Sequence, residues 1–343
     1  MANKEEQVID DLNELIPGLN LLELYGLHVT SAKPVRAVIK IETDRGSFAL
    51  KKVSHKPEKL QFMYEAQEHL WRNGFQNLPR FMKTLDGRPF VEVEDGLVFL
   101  NNWIDGVESN VRDPEQLEQI VRLQARLHRA ARGFAPSVNA AIKTRWAGWI
   151  ERFEDELADI QNAYELYKDQ EPQTELEQAF LETVEPMLEM ADTGVRLLKE
   201  SPYQEVLRRE RKLRGFVHGD FTYHNFIRTP DGDMQVIDFD YCAHELRAHD
   251  FARFMRKMLR RTNWDIEVGN SILQTYHQVD PIHEDELQVL KALLFFPQRY
   301  WRAVERGFFS KRYTPEGSVK KMRQEVARLE NWKCYLDAFP TKL

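Results

Sequence analysis

Hydrophobic and polar positions alternate along this chain in two registers. Between residues 36 and 53 the period is two: positions 36–42 alternate in polarity, Asp44-Arg45-Gly46 supplies turn residues, and 47–53 resume the alternation. That pattern predicts a β-hairpin. Phe62, Ala66 and Leu70 then recur at four-residue spacing with Gly74 beyond them, which predicts a helix over 59–73. Strand-like runs follow at 90–93 and 97–100, separated by Glu94-Asp95-Gly96. Two strands, a helix and two strands predict a small antiparallel sheet carrying one helix.

Past Trp103-Ile104-Asp105-Gly106 the period becomes helical. Asp113-Pro114 is a helix start, an N-cap followed by proline in the first turn. Leu117, Ile120, Val121, Leu127 and Ala131 mark its buried stripe, and Gly133 closes it. Helical patterns continue over 145–168, over 174–200 with an interruption at Pro186, and over 245–343. Two short strands, 215–218 and 234–238, stand inside this helical half. The expected division is an N-terminal unit 1–103 and a mainly helical unit 104–343, joined at a hinge within 101–106.

Composition narrows the class. Of the 343 residues, 42% are hydrophobic and 30% charged, with a net charge of −7, so the chain can bury a sizeable core and lacks the basic excess of a nucleic-acid binder. Two cysteines, Cys242 and Cys334, are too few for a disulfide framework. The opening MANKEEQVIDDLNELIPG lacks the basic and then apolar run expected of a signal peptide, and no apolar run reaches membrane-spanning length. The expectation is a cytoplasmic protein with neither nucleic-acid nor membrane partners.

The chemistry concentrates in FVHGDFTYHNFI, residues 216–227, and MQVIDFD, residues 234–240. Two apolar strands end in acidic residues, with Pro230-Asp231-Gly232 turning between them, so Asp220, Asn225 and Asp238 converge where the strands end. Phosphoryl transfer needs this set. One carboxylate orients the attacking hydroxyl and accepts its proton, while an amide oxygen and a second carboxylate hold Mg²⁺ against phosphate oxygens. The spacing of five from Asp220 to Asn225 is that of a kinase catalytic loop. The histidines His218, His224, His244 and His249 with Cys242 suggest instead a transition-metal site, but Asn225 has no task in that scheme.

HGDxxxxN followed by IDFD resembles the aminoglycoside phosphotransferase/choline kinase superfamily. WIDG at 103–106, RLHRAARGF at 126–134 and Arg299-Tyr300-Trp301 make the chain most similar to the CotS-related spore coat kinase-like proteins of Bacillus-type bacteria. The resemblance implies an α+β, bilobal protein-kinase-like fold with a small antiparallel-sheet N-lobe and a larger, mainly helical C-lobe. It implies Mg-ATP as cofactor, Asp220 as catalytic base, His218 as a brace of the loop, and Asn225 and Asp238 as magnesium ligands. Phe48-Ala49-Leu50-Lys51 looks like the kinase lysine strand, which makes Lys51 the phosphate-binding lysine. Ala49 and Lys51 share a strand face. Glu65 on the following helix is then the expected ion-pair partner of Lys51, with Glu68 the runner-up. Backbone groups at Asn101, Asn102 and Trp103 are expected to meet the adenine.

The resemblance has gaps. The phosphate-covering loop, expected near 31–36, has no glycine, so Ser31, Lys33 and Arg36 would have to supply side-chain contacts in place of backbone amides. Asp250 reads as an anchor of the catalytic loop or a helix N-cap. The basic runs 208–214 and 255–261 read as solvated helix faces, and 299–309 as core with snorkelling arginines or as part of a substrate wall. The functional expectation is a phosphotransferase acting on the hydroxyl of a small molecule. The alternative is a kinase-fold structural protein of the spore coat, with other coat proteins as partners. The acceptor is not legible: neither an acidic aminoglycoside site nor an aromatic choline cage can be assembled from sequence.

Overall fold

A computed structural model describes residue 16 and residues 19–140, 144–310 and 315–343. Contacts group the chain into two compact units, the first made of 1–143 with 218–243 and the second of 144–217 with 244–343.

The first unit is built on an antiparallel sheet. After a short helix α1 (Leu21–Tyr25), β1 (Val29–Val35), β2 (Val38–Thr43) and β3 (Gly46–Val53) form a meander. β3 pairs next with β6 (Gly96–Asn102), and β4 (Phe81–Met82) and β5 (Val91–Val93) both pair with β6. The expected hairpin is therefore present and gains β1 in front of it. Residues 31–35, expected to cover phosphates, lie in β1, and the loop reduces to the tight turn Arg36-Ala37. Arg36 holds a φ of 56°, in the left-handed region where glycine usually sits. One face of the sheet packs Ile41, Phe48, Leu50, Val98 and Leu100 with Leu27 and Tyr25.

Helix α2 (Pro57–Arg72) follows β3, with its proline in the first turn. Helix α3 (Pro114–Ala130) starts as expected: the Asp113 carboxylate accepts from the amides of Glu115 and Gln116. Between them stands the small strand β7 (Val107–Glu108). It joins β8 (Phe226–Arg228) and β9 (Met234–Val236) in a three-stranded antiparallel sheet. The expected strand at 215–218 is replaced by an isolated bridge at Val217, and the true partner of β9 is β8, on the far side of the HGDxxxxN motif. The motif is thus a loop between elements and not the end of a strand.

The second unit is helical: α4 (Trp149–Tyr167), α5 (Glu175–Glu200), α6 (Tyr203–Leu213), α7 (Arg247–Arg261), α8 (Ile266–Val279), α9 (Glu284–Phe295), α10 (Gln298–Val304), α11 (Pro315–Val326) and α12 (Leu329–Asp337). Helix α5 runs unbroken through Pro186, where an interruption was expected. Thr183, Val184 and Met187 around it are buried, and that packing outweighs the lost backbone hydrogen bond. Arg247 is anchored in the core by Asp280 and Glu286. Asp250 lies in the first turn of α7 and is buried. No helix among the described residues is long and apolar enough to cross a membrane.

Gly219, inside the HGDxxxxN motif, has a φ of 79°, and a methyl group there would collide with the carbonyl oxygen of Tyr241. Gly219→Ala is therefore expected to destabilise by about 1–3 kcal/mol and to lower Tm by several degrees. Gly46→Ala meets nothing within 4 Å and should show only the smaller cost of its positive φ. Thermal unfolding of the two variants side by side checks this.

Candidate active site

The loop after Val217 is braced before it is chemical. His218 Nδ1 accepts the Asp220 amide at 3.2 Å, which leaves Nε2 to carry the proton and donate to the Ile237 carbonyl at 3.0 Å. His218 is fully buried, so its work is to fix the loop against the β9 segment. The Asn225 side-chain amide donates to Asp220 O at 3.0 Å and lies 3.4 Å from Asp220 Oδ2. The Ile237 amide donates to Asn225 O at 2.9 Å. Asp220, Asn225 and Asp238 are thereby brought together by a local network.

Asp238 follows β9 with φ 67° and ψ 73°, a left-handed conformation that a non-glycine residue holds only where its surroundings impose it. Its carboxylate meets Lys51 of β3: Lys51 Nζ lies 2.9 Å from Asp238 Oδ1 and 2.8 Å from Asp240 Oδ1. Burial disfavours the ammonium, but the two aspartates outweigh it and raise the Lys51 pKa above the ordinary lysine value. Burial likewise pushes the Asp238 carboxyl up, and Lys51 outweighs that to hold it below the usual carboxylate range. Asp240 also faces His55, at 3.6 Å. It was not singled out from the sequence, although IDFD carries both acids: the left-handed backbone at Asp238 and the helical turn Phe239–Tyr241 after it bring the second acid back to Lys51.

Glu65 is elsewhere. Its carboxylate accepts from the Ser137 amide at 2.7 Å, from Ser137 Oγ at 2.6 Å and from the Gln61 side chain at 2.8 Å. Glu68 forms a forked pair with Arg80. Among the described residues neither makes an ion pair with Lys51. The physical reason is helical phase. Met63 and Gln67 are the α2 residues that line the cleft, and Glu65 lies about half a turn round the helix from them.

That cleft, within the first unit, has a volume of about 420 Å³. Lys51, Asn101, Asn102, Trp103, Asn225 and Asp238 line it together with Asp240. Its walls include the apolar side chains of Val38, Ala49, Phe99, Ile227 and Ile237, a slot suited to a flat ring. The amides of Asn102 and Trp103, expected to face the ligand, instead donate to Arg80 O and Ser47 O at 3.0 Å each. The Ile104 N–H has no partner among the described residues, and Ile104 also lines the cleft. Asn101 Nδ2 and Gln67 Oε1 are buried and unpartnered at the same cleft, one donor and one acceptor. Arg36 pairs with Glu108, which lies 3.5 Å from His224 Nδ1, so the turn contributes a side chain where glycine loops contribute amides. Ser31 and Lys33 do not line the cleft among its described walls.

The donor set fits magnesium. The Asn225 NH₂ group is turned to Asp220, and Oδ1 accepts no hydrogen bond among the described residues. Together with the Asp238 carboxylate it offers hard oxygen donors, and Mg²⁺ characteristically takes one or two such ligands and completes its shell with water and phosphate oxygens. No group of three or more His, Cys, Asp or Glu among the described residues is arranged to hold a metal ion.

The fold is protein-kinase-like, and solved small-molecule phosphotransferases share it. An aminoglycoside phosphotransferase from Alicyclobacillus acidocaldarius superposes with a TM-score of 0.81 over 92% of both chains at 22% identity. A spectinomycin phosphotransferase in complex with ADP and spectinomycin does so with a TM-score of 0.60, over 97% of this chain and 95% of that one, at 12% identity. Spore coat protein S of Bacillus subtilis is 23% identical over 297 residues, 86% of this chain and 83% of its own. The chain belongs to the family described as "Spore coat putative kinase YutH", which matches residues 19–339. The family resemblance read from HGDxxxxN and IDFD is borne out.

The pH dependence of the Lys51 cluster follows from the signs above. Asp238, with its pKa depressed in the folded state, adds stability above about pH 4, and this is lost as pH falls through the folded pKa. Lys51, with its pKa raised, adds stability below about pH 10 that is lost as pH climbs through the folded pKa. Lys51→Met leaves two neighbouring carboxylates uncompensated. Its stability deficit against wild type, followed by chemical unfolding from pH 3 to 9, should be largest near neutrality and shrink in acid. A deficit that grows in acid would contradict the assignment.

Proposed function

We propose that this protein is an ATP- and magnesium-dependent phosphotransferase acting on the hydroxyl group of a small molecule, associated with the spore coat. The observation that carries the proposal is the convergence of Lys51, Asn225 and Asp238 on one cleft, with Asp220 fixed to Asn225 beside it. The adenine occupies the apolar slot, where the Ile104 amide and the Asn101 side chain are the available donors. Asn225 and Asp238 would hold magnesium, which neutralises phosphate oxygens. Lys51 steadies the nucleotide phosphates, and Asp220 orients the acceptor hydroxyl and takes its proton. Catalysis of this kind rests on positioning and charge neutralisation. The complex of the similar spectinomycin phosphotransferase with ADP supports the nucleotide. The spore coat family and the likeness to spore coat protein S support the location.

One observation favours a second reading, a kinase-fold coat protein without useful turnover. The turn over the cleft presents Arg36, ion-paired to Glu108, in place of a glycine loop whose amides could approach phosphates.

Asp220→Asn separates the two. An orienting base acts on turnover more than on nucleotide affinity, and loss of a general base typically costs about 10²–10⁴-fold in rate. The variant is expected to bind ATP within a few-fold of wild type and to lose nearly all magnesium-dependent ADP release against a panel of sugars, amino alcohols and aminoglycosides. Equal turnover by both proteins would remove Asp220 from its role. Absence of any turnover in wild type, water included as acceptor, would favour the structural reading.

A further inference from the structure

Lys51 is one cation set between two acids, and the two are not equivalent. Its ammonium donates to Asp238 Oδ1 at 2.9 Å. Asp240 Oδ1 lies 2.8 Å from the same nitrogen, yet it is buried and accepts no hydrogen bond among the described residues. The contact there is one of charge, with an acceptor still to be filled. Exposure separates the acids as well: the Asp238 side chain is 39% exposed, against 18% for Asp240 and 15% for Lys51. Asp238 is the acid open to an incoming cation, and Asp240 is the one enclosed with the ammonium.

The backbone keeps Asp240 in that place. Phe239, beside it in the turn 239–241, is buried edge-on to the His218 ring with centroids 4.7 Å apart. Lys59, in the first turn of α2, donates to the Cys242 carbonyl at 2.5 Å, just after the turn. Asp240 Oδ2 faces His55 Nε2 at 3.6 Å. A short side chain on a turn pinned at both ends has little freedom to leave Lys51.

This matters once Asp238 has a second claimant. In the nucleotide reading Asp238 serves magnesium, and a carboxylate oxygen drawn to a divalent cation is a weak acceptor for an ammonium. A largely buried lysine is costly to leave without a carboxylate. In protein kinases a glutamate from the helix after the lysine strand meets that need. Here Glu65 is committed to Ser137 and Gln61, and Glu68 to Arg80.

We propose that Asp240 is the positioning residue for Lys51: it takes the ammonium when Asp238 turns to magnesium, the work that a helix glutamate performs in protein kinases. The proposal rests on the nucleotide reading of the cleft. Its consequence is that metal ligand and lysine partner come from one turn, two residues apart, and that no glutamate of α2 holds the lysine.

The test measures the calorimetric affinity of a non-hydrolysable ATP analogue, with and without magnesium, in wild type, Asp240→Asn, Asp240→Glu and Glu65→Gln, each first checked for a cooperative melt. The gain in affinity on adding magnesium should fall roughly fivefold or more in Asp240→Asn, because Lys51 and the metal then compete for one carboxylate. Asp240→Glu, which keeps the acid, should recover part of that gain, and Glu65→Gln should match wild type. An acid acting directly on the metal would give the same loss, so Asp240→Asn is repeated in Lys51→Met, where little further effect is expected. A wild-type gain in Asp240→Asn, a loss in Glu65→Gln, or an undiminished effect in the Lys51→Met background each overturns the proposal and leaves the nucleotide reading standing. The Glu65→Gln arm decides this even if Asp240→Asn does not fold. Absence of magnesium-dependent binding in wild type overturns the nucleotide reading, and the proposal with it.

Discussion

One buried ammonium organises the first unit. Lys51 stands on a central strand, 15% exposed at its side chain, between the carboxylates of Asp238 and Asp240. A lysine in such a place must be charged by its partners or neutralised by burial, and here the partners prevail. The pair ties the N-terminal sheet to the segment that follows β9, across 187 residues of chain. Asp238 pays for its position with a left-handed backbone, and Gly219 must be glycine because the Tyr241 carbonyl fills the space of a side chain.

Around that pair the cleft is assembled from groups whose other bonds are already fixed. His218 braces the loop through two backbone contacts, Asn225 turns its NH₂ to Asp220 and its oxygen outward, and the strand amides of Asn102 and Trp103 are used inside the sheet. What remains available is limited and specific: a carboxylate, an amide oxygen, an ammonium, one backbone donor and two buried side-chain amides. Both units balance a buried cation against acids within contact distance: the cleft sets Lys51 against Asp238 and Asp240, and the helical unit sets Arg247 against Asp280 and Glu286.

Much of this was legible because the decisive groups are close in sequence. Asp220, Asn225 and Asp238 lie within 19 residues, and short-range geometry brings them together whatever the rest of the chain does. The kinase-like fold class, the hairpin before Lys51 and the Asp113 cap were likewise local statements. What failed depended on tertiary phase. Which side of α2 faces the cleft is set by packing against the sheet, so Glu65, plausible by spacing, turned out to serve Ser137 while Met63 and Gln67 face inward. The Arg36-Ala37 turn was misplaced because β1 alternates weakly, with exposed Ser31 and Lys33 giving no apolar face to recognise. Helix α5 crosses Pro186 because burial on both sides outweighs a local breaker. Arg256 could not be told from its solvated neighbours, since a basic run at helical pitch looks the same buried or wet.

The central claim, that the Lys51–Asp238–Asp240 cleft is a magnesium-nucleotide site, is tested most directly by calorimetric titration of a non-hydrolysable ATP analogue into the wild-type chain, with and without magnesium. The account predicts one site per chain whose affinity rises when magnesium is present. Absence of binding at millimolar nucleotide, or binding that magnesium leaves unchanged, would contradict it.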